Sequence, residues 1–392
     1  MNPFQYYNPT MLIFGPGKLS LLAKQAETMG EKVLLVYGGG SIKTHGVYER
    51  VIQALQKSGK QVFELSGVEP NPRVSTARKG IELCRNHQID WVLAVGGGSV
   101  IDCAKAIAVG CTIDADVWDL VRSKVTARSA LPLGVVLTLA ATGSEMNPYS
   151  VITNWETNEK IGWGSPLAIP KFSILDPELT YTLPHDQTVY GVVDIMSHVL
   201  EQYFHHQEHT AITDGFCETI LRSVIEYAPL LKDDPNNEDS RSTIMHAGTV
   251  ALNGITSMGT IGDWATHNLE HAVSAIFDIP HGGGLAILFP VWIRYALDRG
   301  TAPKKVAQLG INVFGLKSTD FKDELELGYA TIIALEKFWR SLGAPATLSD
   351  YQITLDDAIL ESLADKTLIR GPFGRFQKLD RANIIEIYRR AQ

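Results

Sequence analysis

In the first half of the chain, β-branched apolar runs of five or six residues alternate with stretches in which apolar side chains recur every three to four positions. KVLLVY (32–37), QVFEL (61–65) and WVLAV (91–95) read as buried strands. Helical spacing follows the first two, over about Val47–Ser58 and Val74–His87, and another helix begins behind Gly96–Gly98. Alternation at this spacing implies parallel pairing with right-handed crossovers, and hence a doubly wound sheet. GVVLTL (134–139), YSVIT (149–153) and FSIL (172–175) are further strand candidates. After DPELTYTLP (176–184) strand-like runs stop and long helical periods continue to the C-terminus. The polar run LKDDPNNEDS (231–240) reads as a loop between helices, because apolar periodicity resumes on both sides of it. The pattern therefore predicts the α/β class: an N-terminal doubly wound, mostly parallel domain over 1–184 and a C-terminal all-helical domain over 185–392, with a cleft expected between them.

Composition narrows the function classes. A chain of 392 residues with 45% hydrophobic and 20% charged residues has ample material for two cores. A formal net charge of −8 argues against a nucleic-acid or anionic-membrane partner, since both need a basic footprint. The start, MNPFQYYNPTMLIFGPGK, lacks the basic, apolar and small-residue regions of a secretory signal, so a cytoplasmic location is expected. GVVLTLAAT is too short to span a bilayer, and GLAILFPVWIRYAL is broken by Arg294. Cys84, Cys103, Cys111 and Cys217 form no CxxC pair, which predicts reduced, mostly buried thiols rather than a disulfide framework or a thiolate zinc site.

Two glycine clusters carry the first chemistry. WVLAVGGGSVIDCAKAIA places three glycines between a buried strand and a helix, where backbone amides and the helix N-terminus can cradle a diphosphate. Ser99 is expected to cap that helix, with Asp102 as capping-box partner. The other cluster, VYGGGSIK, ends the first clear strand with Gly38, Gly39, Gly40, Ser41 and Lys43. An acidic residue at such a strand end holds a ribose 2′-hydroxyl and repels a 2′-phosphate. None stands here, so if the segment faces an adenosine ribose, Ser41 and Lys43 favour NADP(H) over NAD(H).

The second chemistry is a metal site. Asp194 and His198 are four apart and leave one face of a predicted helix that is otherwise apolar. His267 and His271 repeat the spacing on a later helix, and His281 sits between Pro280 and three glycines, where a loop enters the next helix. One carboxylate and several imidazoles suit a divalent transition ion with an open position, Fe2+ or Zn2+. His205, His206 and His209 read as a solvated helix end and loop. A metal-dependent hydrolase or lyase acting on a phosphorylated substrate would use the same Asp/His set, and a silent nucleotide-binding protein would use the glycine turns alone.

The stretches IFGPGKL, GGGSVIDCAKAIA, TGSEMNPYSVITN, DIMSHVLEQY and HNLEHAVSAIFDIPHGG resemble the iron-containing (group III) alcohol dehydrogenases, in the branch of butanol dehydrogenases and NADPH-dependent aldehyde reductases. The resemblance covers nearly the whole chain. It implies Asp194, His198, His267 and His281 as metal ligands. It also implies cofactor contacts at Gly38, Gly97, Gly98, Ser99, Asp102, Thr138, Thr142, Asn147 and Lys160, to which Gly39, Ser41, Lys43 and Asn71 are added as candidates. The N-terminal domain would then bind the dinucleotide and the helical domain the metal and substrate. Hydride transfer between NADP(H) and a primary alcohol or aldehyde is expected, with broad, uncharged, butanal-like substrates and a homodimeric assembly. His271 is the candidate catalytic proton relay, its other reading being packing beside the ligands. Lys160 reads equally as a cofactor contact or a surface lysine, and Trp264 with IRGPFGRF (369–376) as pocket lining or packing. One departure is Ser274, where many members carry glycine, so that helix is expected to pack differently. A similar fold in glycerol dehydrogenases and dehydroquinate synthase fixes the scaffold more firmly than the substrate.

Overall fold

In a computed structural model that describes residues 1–392, the chain divides into two compact units. One comprises Tyr7–Pro184 with Asn236–Thr249; the other comprises Met1–Tyr6, His185–Pro235 and Val250–Gln392.

The first unit is built on β1 (Met11–Phe14), β2 (Lys32–Tyr37), β3 (Gln61–Leu65), β4 (Trp91–Gly96), β5 (Leu133–Leu137) and β8 (Phe172–Leu175). They form one all-parallel sheet in the order β1-β8-β5-β4-β2-β3. Side chains alternate between its faces, as period-two geometry requires. Leu34 and Val36 of β2 enter one core with the helices Val74–His87 and Gly98–Gly110, whereas Val33, Leu35 and Tyr37 enter the other with the helix Val47–Lys57. Helices on both faces explain why β4 is buried along its whole length and reads as a continuous apolar run.

YSVIT forms a strand, but outside this sheet: β6 (Tyr149–Asn154) pairs antiparallel with β7 (Glu159–Gly164), a strand whose two glycines hid it. β5 ends at Leu137, so Thr138 and Leu139 follow the strand instead of extending it; the Thr138 N–H donates to the Gly96 carbonyl at 3.1 Å. The helix Glu238–Ala251 contributes Met245 to the first unit's core.

The regular elements of the second unit are helices, apart from an isolated bridge between Phe373 and Leu379. Its helix His185–Tyr203 is buried without interruption from Gly191 to Tyr203. It packs against the helix His281–Asp298, which in turn packs against Ala265–Phe277. Gly282 permits the first of these approaches, since a Cβ there would overlap the Tyr190 carbonyl. The polar run after Leu230 is shorter as a loop than its composition implies: Leu230–Asp233 is still helical and the next helix begins at Glu238. No helix is long and apolar enough to cross a membrane.

Candidate functional site

Three segments of the helical unit bring their donors together. Asp194 and His198 leave the same face of His185–Tyr203, His267 stands in the first turn of Ala265–Phe277, and His281 is the first residue of His281–Asp298. Asp194 Oδ1 lies 3.7 Å from His198 Nδ1, 3.9 Å from His267 Nε2 and 3.6 Å from His281 Nε2. These separations are too long for hydrogen bonds. Donors that each sit about 2.1 Å from one tetrahedral ion are roughly 3.4 Å apart, close to what is seen here. Asp194 is 3% exposed, and neither its Oδ1 nor His267 Nε2 has a hydrogen-bond partner. A buried carboxylate oxygen facing a partnerless imidazole nitrogen is costly unless a cation joins them, so the residues fit a divalent metal.

Two glutamates that the spacing argument missed complete the cluster. Glu201 stands one turn beyond His198 and is fully buried; its Oε1 accepts the His267 backbone N–H and the His267 Nδ1–H, both at 3.1 Å, together with the Thr266 hydroxyl. Glu270, equally buried, accepts the His281 Nδ1–H on Oε2 and the Ser274 hydroxyl on Oε1. With the proton fixed on Nδ1 of each ring, both Nε2 lone pairs face Asp194. Ser274, marked in the sequence as a departure, thus holds the carboxylate that orients His281. The signal for both glutamates was available, because charged residues at i+3 or i+7 of a ligand histidine lie on its helix face.

His271 is half-buried, its ring centroid 5.5 Å from that of His281 and 6.4 Å from that of His267. Trp264, left-handed at φ 64°, opens the His267 helix and sets its ring edge-on to His267 at 5.3 Å. A bulky residue held at positive φ is rare away from functional sites. Its neighbour Asp263 accepts the backbone N–H groups of Ala265, Arg375 and Phe376, which ties the C-terminal part of the 369–376 loop to the turn before the His267 helix. Phe376 is buried among Phe204, Trp292 and His206, so it is packing here.

The candidate cofactor residues gather at the carboxyl ends of the parallel strands. Gly38–Gly40 follow β2, Gly97 and Gly98 follow β4, and Thr138 and Thr142 follow β5. The helix Gly98–Gly110 begins two residues earlier than expected: Gly97 is its N-cap, no side chain caps it, and Ser99 lies inside the first turn. The expected capping box is therefore absent, and no side chain occupies the helix N-terminus. Asp102 instead accepts the Ser144 hydroxyl at 2.6 Å and the Val151 N–H at 2.8 Å. A Cβ on Gly98 would overlap Thr142, so that loop closes directly over the helix start.

Asn147 is committed to the same loop: its amide donates to the Gly143 carbonyl at 2.8 Å and its Oδ1 accepts the Tyr149 N–H at 2.9 Å. Beneath lies Lys105, fully buried, whose ammonium donates to Ser144 Oγ and to the Asn147 and Tyr149 carbonyls at 2.7–2.8 Å. Burial pulls Lys105 down to about 8 against the pull of Asp102 and Glu145. Asn71 occupies a left-handed turn at φ 53°, and Lys160 on β7 is only 9% exposed, which removes the surface-lysine reading. Ser41 and Lys43 stand on the short turn Ser41–Thr44, with the Lys43 ammonium 5.1 and 4.6 Å from the ring centroids of Tyr37 and Tyr48. The hydroxyls of both tyrosines donate to Glu64 on β3, a carboxylate that lies outside residues 38–43 in sequence.

His205 corrects another reading. It is buried rather than solvated, with Nε2 2.9 Å from Asp214 Oδ1, while His206 and His209 are exposed. The Lys305 ammonium donates to the same Asp214 carboxylate.

One carboxylate among imidazoles, on a chain whose other unit opens glycine-lined turns at parallel strand ends, marks a metal-dependent dehydrogenase that works with a dinucleotide. Comparison with known proteins agrees. The family model of iron-containing alcohol dehydrogenase matches residues 9–177, and that of the Fe-containing alcohol dehydrogenase family, C-terminal, matches 188–392. The chain is 56% identical to the probable NADH-dependent butanol dehydrogenase 1 of Bacillus subtilis (strain 168), over 99% of both chains. It is 39% identical to the NADPH-dependent aldehyde reductase YqhD of Escherichia coli (strain K12), over 93% of both. The crystal structure of NADH-dependent butanol dehydrogenase A from Thermotoga maritima superposes with a TM-score of 0.94 at 37% identity, covering 100% of this chain and 99% of that one. The chain belongs to the iron-containing alcohol dehydrogenase family, in its butanol dehydrogenase and aldehyde reductase branch. It is an enzyme of alcohol and aldehyde oxidoreduction, and the hydrolase or lyase alternative falls away.

Proposed function

We propose that the enzyme interconverts short, uncharged aldehydes of the butanal kind and their primary alcohols, using NAD(P)(H) and a divalent metal held by Asp194, His198, His267 and His281. The observation that carries this reading is the Asp194 Oδ1 atom, buried without a hydrogen-bond donor and within 3.6–3.9 Å of three imidazole nitrogens. When bound, the metal supplies Lewis acidity toward the substrate oxygen and the dinucleotide supplies or accepts hydride at carbon. The chain's own groups do the rest. Glu201 and Glu270 hold the His267 and His281 rings in the tautomer that presents Nε2. His271, beside His281 and partly open to water, passes the hydroxyl proton to solvent. The helix start at Gly98 and the Thr138–Asn147 loop receive the diphosphate and nicotinamide ends of the cofactor.

The strand end at Gly38–Lys43 offers hydroxyl and ammonium groups and no carboxylate of its own, which supports acceptance of a 2′-phosphate and a preference for NADP(H). Glu64, engaged by Tyr37 and Tyr48 beside Lys43, favours NAD(H) instead, and so does the name of the Bacillus relative. Iron and zinc both suit the donor set. We further propose a dinucleotide domain over 1–184, a metal and substrate domain over 185–392, a cytoplasmic location and a homodimer.

The test is to purify the protein, measure its bound metal, and assay butanal with NADPH and with NADH before and after chelation. Nicotinamide oxidation that stops on chelation and returns with Fe2+ or Zn2+ is expected, and the ratio of kcat/KM for the two cofactors decides the preference. Undiminished turnover by the metal-free protein would overturn the reading.

A further inference from the structure

Two cysteines lie outside all of these sites. Cys84 is in the last turn of the helix Val74–His87, and Cys111 directly follows the helix Gly98–Gly110. Cys84 is buried in the core beneath the sheet, and Cys111 packs against that core while staying partly exposed. Arg85 clamps the two helix ends together: its Nε donates to the carbonyl of Cys111 at 3.3 Å, and one terminal nitrogen donates to Gly110 at 3.2 Å and to Ile113. Gly110 allows the close approach, because a Cβ there would lie 2.5 Å from Ile81 Cδ1, one turn before Cys84.

At this junction the residue next to Cys84 holds the Cys111 backbone and both cysteines pack on one core, near enough for each thiol to shift the titration of the other. The resting Cys111 thiol itself donates weakly to the Ala108 carbonyl at 3.3 Å. The neighbouring Cys111, then burial, pushes Cys84 up. Interaction with Cys84, outweighing partial burial and aided by the Arg85 charge, draws Cys111 below the usual thiol range. Burial is the main cause of the rise at both Cys103 and Cys217. A half-buried cysteine whose backbone is held by a guanidinium, with a second thiol on the neighbouring helix end, has the surroundings of an oxidant-sensitive pair.

We propose that Cys84 and Cys111 are a redox modification site, converted by a hydroperoxide such as hydrogen peroxide into a disulfide that links the ends of their two helices. The Cys111 thiolate attacks one peroxide oxygen, the O–O bond breaks, and the departing hydroxide takes up a proton as water. This leaves a sulfenic acid on Cys111. The Cys84 sulfur then attacks the Cys111 sulfur, the S–O bond breaks, and a second water leaves with the Cys84 proton. Two thiols lose two electrons and one hydrogen peroxide becomes two waters. The link would pin the far end of the helix whose first turn carries Gly98.

The experiment treats the purified, full-length protein briefly with hydrogen peroxide and reads intact mass, free thiols after denaturation, and peptides from a non-reducing digest. The expected product is lighter by two hydrogens, has lost two of its four thiols, and yields one dithiothreitol-sensitive peptide pair joining Cys84 to Cys111. In Cys84→Ser the reaction stops at Cys111, which is then labelled by a sulfenic-acid reagent; in Cys111→Ser no link forms. Survival of all four thiols, a sulfinic acid on wild-type Cys111, or a link through any other cysteine overturns the proposal. The wild-type measurement decides even if a variant folds poorly.

Discussion

A buried carboxylate oxygen with no donor carries a desolvation penalty of about 1–3 kcal/mol or more, and Asp194 Oδ1 is placed so that a cation removes it. Its neighbours divide the work by distance from that oxygen. The four candidate ligands supply donors, Glu201 and Glu270 fix ring tautomers, and Ser274 fixes Glu270. Glu201→Gln keeps the shape but weakens the acceptor for the His267 Nδ1–H, so metal affinity should drop about 10- to 100-fold, as read by titration with a competing chelator. Ser274→Ala should cost about 1–3 kcal/mol of stability by leaving Glu270 Oε1 short of a donor, with Ser274→Thr restoring part of it, both followed by urea unfolding. An S274A protein as stable as wild type would show that the hydroxyl is incidental. At this scale the donors were legible because i,i+4 pairs on apolar helix faces are rare without a reason. Glu201 and Glu270 share those faces three residues beyond a ligand histidine, a signal masked because a lone acidic residue on a helix ordinarily means a wet surface. His205 failed for the same reason: its partner Asp214 is nine residues away and becomes a neighbour only through the turn between two helices.

At the scale of elements, apolar patterning located five of the six sheet strands; the four interior ones are covered on both faces and have no polar side to confuse it, while β3 is an edge strand with exposed polar residues. β1 escaped because it is a four-residue edge strand with exposed ends, and β7 because glycine interrupts it. Helix starts were harder. Ser99 is a better cap by residue type than Gly97, yet the chain must approach Thr142 too closely for anything but glycine at the first helical position. Gly98→Ala should therefore displace the Thr142 loop and raise KM for the dinucleotide well before it changes overall stability, a difference visible by comparing steady-state kinetics with the melting curve. Another element-scale consequence concerns the Asp263 tether. Burial, with Glu201 nearby, pushes its carboxyl from 3.8 up to about 7 against three backbone N–H donors. The folded chain thus keeps a proton that the unfolded chain releases near pH 4, and this group's contribution to stability declines as pH rises from about 4 to about 7. In Asp263→Asn the urea midpoint should lose that slope between pH 5 and pH 7.5. An unchanged slope would assign it to another group.

For the whole molecule, binding of an ion only to the folded state adds stability by mass action, about 2.7 kcal/mol at a free concentration one hundred times its Kd. Adding Fe2+ or Zn2+ to chelated protein should accordingly raise Tm in a concentration-dependent way, and Asp194→Ala should abolish the response while leaving a folded protein. Composition and charge argued against nucleic acid and membrane as partners, and they could do no more, because net charge describes a surface and not a site.

The path of the chain carries one more lesson. Asn236–Thr249 returns to the first unit after the polypeptide has already entered the second, and it brings Met245 into the sheet's core and the Thr249 hydroxyl to Glu145 at 2.5 Å. A fragment truncated after Pro184 would lack that plug, exposing an apolar hole and stranding a buried glutamate. Anyone seeking a stand-alone nucleotide-binding half must graft residues 236–249 back onto it, because one cut cannot release what the polypeptide has stitched through twice.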